Sequence, residues 1–505
     1  MNGLPPLSSH ATGRISADRL ASLLGQWHRG GPRSGGHDLA DALATRVRDG
    51  RLPPGTRLPS ERELAGALGV SRTMIGAALE RLRDAGLVAS RQGSGSWTAA
   101  PPGVRHPGTG LPDGAGLIDL TRASPGAADG LLPAFEAAQR ALREALHDET
   151  YDDLGIMPLR ERLAARYTAR GLPTAPSEIM ITNGAHHGFA LALRLLAGPG
   201  DRVLVEQPGY PHAFDAVTAA RGHLVPVPVD PFAASGWDID GIAATLRQTS
   251  PRLAYLMADF HNPTGRRMAA EDRERLGAVL AATRTHTVVD ESAVELDLGG
   301  AGDGNGVPDG IGYGYGAGDG AGDGCRTEGA PPPLAAFAPR WTITVGSPAK
   351  THWGGLRIGW IRASEELIGR LGAVRASLDL GSPLFEQLWL AGLLTDPMPC
   401  PGPRRRALRA QRDALAGAVR TECPDWSFRT PEGGVNLWCR LPEPIGTRLA
   451  GAARQHGVLL TPGARFGVQD GLERWLRLPF TQPPDRLREA VRRIAAARAG
   501  LTGAP

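Results

Sequence analysis

Thr344-Val345-Gly346-Ser347-Pro348-Ala349-Lys350-Thr351, followed by Gly354-Gly355-Leu356-Arg357-Ile358-Gly359-Trp360, holds the only lysine of this 505-residue chain; Lys and Arg together number 56, so every other basic side chain is arginine. A guanidinium is delocalised and stays protonated, whereas a lysine amine gives up its proton when buried and adds to a carbonyl to form a Schiff base. A single lysine among so many arginines marks a position that needs amine chemistry. The run before it is β-rich and ends in small polar residues, which places Lys350 just beyond a strand, with Ser347 three residues before it and Arg357 seven after.

Around this segment, β-rich runs at Glu178–Thr182, Arg202–Glu206, Leu253–Met257, Thr287–Asp290 and Thr342–Gly346 alternate with helical patterns. That alternation predicts an α/β domain on a largely parallel sheet across residues 119–499, and sites on such sheets gather at strand ends. A Gly/Asp-rich tract, 299–333, interrupts the domain between the Asp290 and Lys350 strands and reads as a disordered surface insertion. Its GDG steps resemble calcium-binding nonapeptide repeats, but the period is broken and the repeats are too few to stack.

Upstream, 99–118 is a Pro/Gly linker without periodicity, and 38–98 has a different character. Asp38 to Val47 is an amphipathic helix. Ser60 caps a second, with Glu63 placed as in a capping box and Gly69 to stop it; Ser71 caps a third. Gly86 to Trp97 reads as two short strands around a Gly-rich wing. Three helices and a β-hairpin make a winged helix-turn-helix, whose recognition helix offers its N-terminal side chains to the major groove. Residues 1–37 form an N-terminal segment with a short helix between Ile15 and Trp27.

The chain is 41% apolar and carries a net charge of +4, so nucleic-acid binding must come from a local cluster and not from the global balance. Cys325, Cys400, Cys423 and Cys439 lie far apart, without metal-ligand spacing or a disulfide framework. No run approaches the ~20 apolar residues of a membrane span, and no leader pattern opens the chain, so a cytoplasmic protein without a membrane partner is expected.

Two resemblances sharpen these expectations. LPSERELA, SRTMI, LRDAGLV and SRQGSGSW occur in order as in the GntR-type DNA-binding domain, which implies DNA contacts from Arg62, Arg72 and Thr73; Ser71, opening the recognition helix, and Arg91 and Gly93, in the wing, are further candidate contacts. The body resembles the fold-type I pyridoxal-phosphate-dependent aminotransferases. That resemblance implies Lys350 as the Schiff-base lysine, Asp290 against the pyridine nitrogen and Asn262, in His261-Asn262-Pro263-Thr264-Gly265, on the ring oxygen. It further implies Tyr210 on the ring face, and Gly184, Ala185, His186, Ser347 and Arg357 around the phosphate. Tyr151 resembles the tyrosine that reaches a phosphate in a neighbouring subunit, implying a homodimer, and Arg477 the arginine that clamps an α-carboxylate. Relatives often carry a tyrosine two or three residues after the pyridine-binding aspartate; here Ser292 and Ala293 stand there.

Together the two parts resemble the MocR subfamily of bacterial transcription regulators. The resemblance implies a DNA-binding regulator that senses pyridoxal 5'-phosphate, an amino acid or another amine through an aldimine at Lys350. The alternative is a pyridoxal-phosphate-dependent aminotransferase acting on an amino acid, to which the DNA-binding part is incidental.

Overall fold

The computed structural model describes residues 13–25, 27, 35–48, 51–91, 95–99, 116–147, 152–299, 330–394, 402–468 and 471–502. Most of the linker, nearly all of the 299–333 insertion, Gly93 and Tyr151 lie outside them. The chain divides into two compact units, one formed by residues 1–122, 440–476 and 490–505, the other by 123–439 and 477–489.

The first unit holds the winged helix-turn-helix. Helices α1 (Ala17–Leu24), α2 (Gly35–Arg48), α3 (Glu61–Leu68) and α4 (Arg72–Asp84) precede a hairpin of β1 (Val88–Arg91) and β2 (Gly95–Thr98). The capping box forms as the spacing predicts. Glu63 N–H donates to Ser60 Oγ at 3.2 Å, Ser60 N–H donates to Glu63 Oε2 at 2.8 Å, and Gly69 ends α3 in the left-handed conformation. Ser71 Oγ likewise accepts from Met74 N–H and opens α4. Leu20 and Leu24 of α1 are buried with Leu39, Leu43, Leu64, Ile75, Leu79 and Leu82, so the short N-terminal helix closes the core of the DNA-binding fold.

Another part of this unit comes from late in the chain. Val458–Leu459 pairs in parallel with Ile118–Asp119, and Arg493 donates to Gly116 O at 2.7 Å. Arg46, near the end of α2, is 3% exposed although charged. Its Nε donates to Leu23 O at 2.9 Å, its Nη1 to Thr447 Oγ1 at 3.3 Å, and its Nη2 pairs with Glu473 at 3.4 Å. The DNA-binding helices and the late segment are thus joined through one buried guanidinium.

The second unit is built on seven strands: β3 (Ile179–Thr182), β4 (Arg202–Gln207), β5 (His223–Pro228), β6 (Leu253–Leu256), β7 (His286–Asp290), β8 (Thr342–Gly346) and β9 (Gly359–Arg362). Their order is β3-β9-β8-β7-β6-β4-β5, parallel throughout except for β9, which runs antiparallel to both neighbours. The five β-rich runs of the sequence are all strands here. The edge strand β5 contains Pro226 and Pro228, which cost no ladder bond where one side of the strand is unpaired. Because β6, β7 and β8 lie side by side in parallel, the segments leaving their carboxyl ends, which carry Asn262, Asp290 and Lys350, emerge along one edge.

Candidate functional site

On the DNA-binding fold, Ser71, Arg72 and Thr73 sit exposed at the N-terminal end of α4, Arg62 is exposed in the first turn of α3, and Arg91 is exposed at the end of β1. Leu64, Ile75 and Leu79 are buried on the opposite faces, which fixes how the two helices present these side chains. An arginine exposed at a helix N-terminus has the reach to fork onto guanine O6 and N7.

In the second unit, Lys350 lies in a short wide helical turn, Ala349–Trp353, four residues beyond β8. Burial pushes its ammonium below the ordinary lysine range and the Arg477 guanidinium pushes the same way, while Asp290 pulls it back. The net shift is downward, toward the free amine that a Schiff base requires. Asp290 ends β7 and is nearly buried. Its Oδ2 accepts from Tyr255 Oη at 2.7 Å and its Oδ1 from Ser292 N–H at 2.8 Å, so both oxygens are oriented ahead of any ligand.

Tyr210 follows β4 and begins the next helix, with its ring edge-on to His186 at 6.0 Å and stacked on Tyr255 at 6.4 Å. Burial raises the Tyr210 phenol well above its ordinary range, and Asp290 adds to that while Arg477 and Arg357 oppose it. One neighbourhood therefore contains Lys350, Asp290, Tyr210, His186, Arg357 and Arg477. Asn262 is buried and accepts on Oδ1 from Asn436 Nδ2 at 3.1 Å. The rest of its motif braces the loop: His261 Nδ1 meets Thr264 Oγ1 at 2.8 Å, and its Nε2 lies 3.3 Å from Glu206.

An anion cradle forms where β3 turns into α5 (Ala185–Leu196). Gly184 precedes the helix at φ +96°, and a Cβ there would lie 2.9 Å from Arg357 Nη2. A Cβ on Gly359 would lie 2.5 Å from the carbonyl carbon of Gly184. Arg357 Nη2 donates to Asn183 O at 3.2 Å, which holds the guanidinium over the turn. Ser347 Oγ donates to Ile358 O at 3.1 Å and accepts from Ala349 N–H, so it sits at the junction of β8 and the lysine turn. A helix N-terminus, a guanidinium and two glycines that admit no side chain are what a phosphate monoester needs. With a lysine amine and an oriented carboxylate close by, the donor set fits pyridoxal 5'-phosphate.

Tyr255 is a site residue that the sequence patterns do not single out. It stands in an apolar run, Leu253-Ala254-Tyr255-Leu256, and the available signal is a phenol in a fully buried strand that needs a partner. At the position where relatives often place a tyrosine, Ser292 lines a cavity of about 20 Å³ with Tyr167, Arg170, Glu291, Ser347 and Thr351, room for roughly one water. A separate concavity of about 870 Å³, lined by Pro251, Arg252, His286 and Trp341 among others where β6, β7 and β8 begin, includes none of the residues above.

A winged helix-turn-helix and a lysine-bearing α/β sheet of aminotransferase type define a two-part protein, a DNA-binding domain joined to an aminotransferase-fold domain. The chain belongs to the aminotransferase class I and II family, whose model matches residues 126–494, and the model for bacterial regulatory proteins of the gntR family matches residues 36–97. It is 28% identical over 376 residues to a 2-aminoadipate transaminase of Thermus thermophilus, covering 73% of this chain and 86% of that one. It is 25% identical over 509 residues to the HTH-type transcriptional regulator TauR of Rhodobacter capsulatus, covering 93% and 97%. Among solved structures it resembles LysN, an alpha-aminoadipate aminotransferase from Thermus thermophilus complexed with N-(5'-phosphopyridoxyl)-L-leucine. The TM-score is 0.64 at 26% identity, over 77% of this chain and 93% of that one.

Proposed function

We propose that this protein is a cytoplasmic, homodimeric transcriptional regulator that binds operator DNA through Arg62, Ser71, Arg72, Thr73, Arg91 and Gly93. In this reading it holds pyridoxal 5'-phosphate at Lys350 and responds to an amino acid or related amine. The observation that carries the reading is the burial of Arg46: α2 of the DNA-binding fold is anchored to Thr447 and Glu473, from a segment encoded some 400 residues later. A DNA-binding part incidental to an enzyme would need no such anchor. The end-to-end likeness to a transcriptional regulator supports the same choice.

When bound, pyridoxal phosphate supplies an aldehyde and an electron-withdrawing ring. The chain's residues then have separate tasks. Lys350 presents an amine whose charged form burial disfavours, and Asp290, oriented by Tyr255 and Ser292, would present its carboxylate to the ring nitrogen. Asn262 would bond the ring oxygen and Tyr210 would pack against the ring. Gly184, Ala185 and His186 at the start of α5, with Ser347 and Arg357, would hold the phosphate, joined by Tyr151 if it reaches across a dimer as the resemblance implies. Arg477 receives the ligand carboxylate. The aminotransferase reading draws on this same full set, and Ser292 in place of a tyrosine weighs against efficient turnover.

The test uses the purified full chain loaded with pyridoxal phosphate. Borohydride is expected to trap an adduct that Lys350→Ala abolishes, and amino acids that shift the visible spectrum are expected to change operator affinity over the same concentration range. Rapid steady release of keto acid with an unresponsive operator would replace the regulator by an aminotransferase.

A further inference from the structure

We infer that Asn436 is a positioning residue for Asn262, setting which end of that amide faces the ligand. The inference rests on the cofactor reading above and concerns a residue outside the set that carries it. Asn436 begins the strand β10 (Asn436–Arg440), where Leu437, Trp438 and Cys439 are all buried. Asn436 itself is 3% exposed. Burying an amide in an apolar strand is unfavourable unless its hydrogen bonds are recovered, and an aliphatic side chain would fill the place without that cost.

Among the described residues, the side chain of Asn436 makes one hydrogen bond, from Nδ2 to Asn262 Oδ1 at 3.1 Å, while its own Oδ1 is sealed from solvent with no donor. Whatever keeps an amide at position 436 therefore acts through that bond. An asparagine has an acceptor end and a two-donor end. With Oδ1 of Asn262 committed to Asn436, its Nδ2 is the end left to the ligand side, as an anionic ring oxygen requires. Released, the amide can turn over and set oxygen against oxygen. The two segments leave little slack. A Cβ on Gly265 would fall 2.6 Å from Pro431 Cβ, and one on Gly434 would fall 3.0 Å from Phe260 Cβ.

The experiment compares wild type, Asn436→Leu, Asn436→Asp and Asn262→Ala, each full length and loaded with pyridoxal phosphate. It follows the pH midpoint at which the visible absorbance of the bound cofactor changes. A donor to the ring oxygen stabilises its ionised form, so losing that donor moves the midpoint to higher pH. One hydrogen bond corresponds to about half to one pH unit for Asn436→Leu. Asn436→Asp, nearly isosteric, has no donor when ionised and then captures the Asn262 amide, and is expected to shift the midpoint at least as far at pH values where it is ionised. In an Asn262→Ala background Asn436→Leu should add nothing. Wild-type midpoints in both Asn436 variants, or an undiminished shift in the Asn262→Ala background, overturn the positioning role. A wild type that takes up no coloured cofactor overturns the cofactor reading and this inference with it, and the first arm alone reveals it.

Discussion

Arg46 and Glu473 are partners of unequal burial, and that inequality predicts which substitution costs more. The Arg46 side chain is 3% exposed and the Glu473 side chain 31%. Glu473→Ala leaves a guanidinium enclosed, among the described residues, with Leu23 O and Thr447 Oγ1 as its partners, and removes the acceptor for Thr447 N–H at 3.0 Å and Thr447 Oγ1 at 2.8 Å. Stranding a buried charge in this way costs about 3–5 kcal/mol. Arg46→Met removes the charge itself, keeps most of the buried stem, and leaves Glu473 partly hydrated and still bonded to Thr447. Its cost is the 2.9 Å bond to Leu23 O and two long contacts, about 2 kcal/mol in all. Adding Arg46→Met to Glu473→Ala should recover part of the loss, because no buried charge is then stranded. Urea unfolding followed by the fluorescence of Trp27 and Trp97, with the other tryptophans replaced, reads the unit directly. Equal costs, or a costlier Arg46→Met, would refute the argument from burial.

Arg72→Ala should lower operator affinity by about 1–3 kcal/mol and relax specificity, whereas Arg62→Ala or Arg91→Ala should weaken binding to all sequences and reduce its salt dependence, as gel-shift titrations across salt will read. Burial, with Arg166 and Arg404, holds the His352 imidazole at about 4, against an ordinary 6.5, while Glu295 opposes. Above pH 6.5 neither state gains a proton there; between 6.5 and 4 only the unfolded chain does, so stability falls by about 2 kcal/mol at pH 5. His352→Gln should flatten that fall in urea midpoints measured at pH 7 and pH 5. Arg477→Ala should weaken the spectral response to amino acids by roughly ten- to a hundredfold, the worth of a charge-assisted carboxylate pair, and leave ligand-free operator binding unchanged.

What the sequence makes legible follows from how local each signal is. Capping is settled within four residues, so the sequence alone places Ser60, Glu63, Gly69 and Ser71 on helix ends, and they stand there. Strands buried on both faces advertise themselves as continuous apolar or β-branched runs, which is why β6, β7 and β8 are readable, whereas β5, with two prolines, is not. Single residues resist such reading when their meaning lies across the sheet. Tyr255 and Asp290 are 35 positions apart and meet only because β6 and β7 pair in parallel. Asn436 and Asn262 are 174 apart, and Arg46 and Thr447 are 401 apart. All three are polar groups inside apolar surroundings, and burial of a polar group is a physical demand for a partner that the sequence states without naming the partner. Lys350 is the exception that explains the others. Its singularity, not its neighbours, gives it away, since an amine and a guanidinium are interchangeable as surface charges but not as nucleophiles, and replacement by arginine everywhere else leaves the one site where the chemistry forbids it.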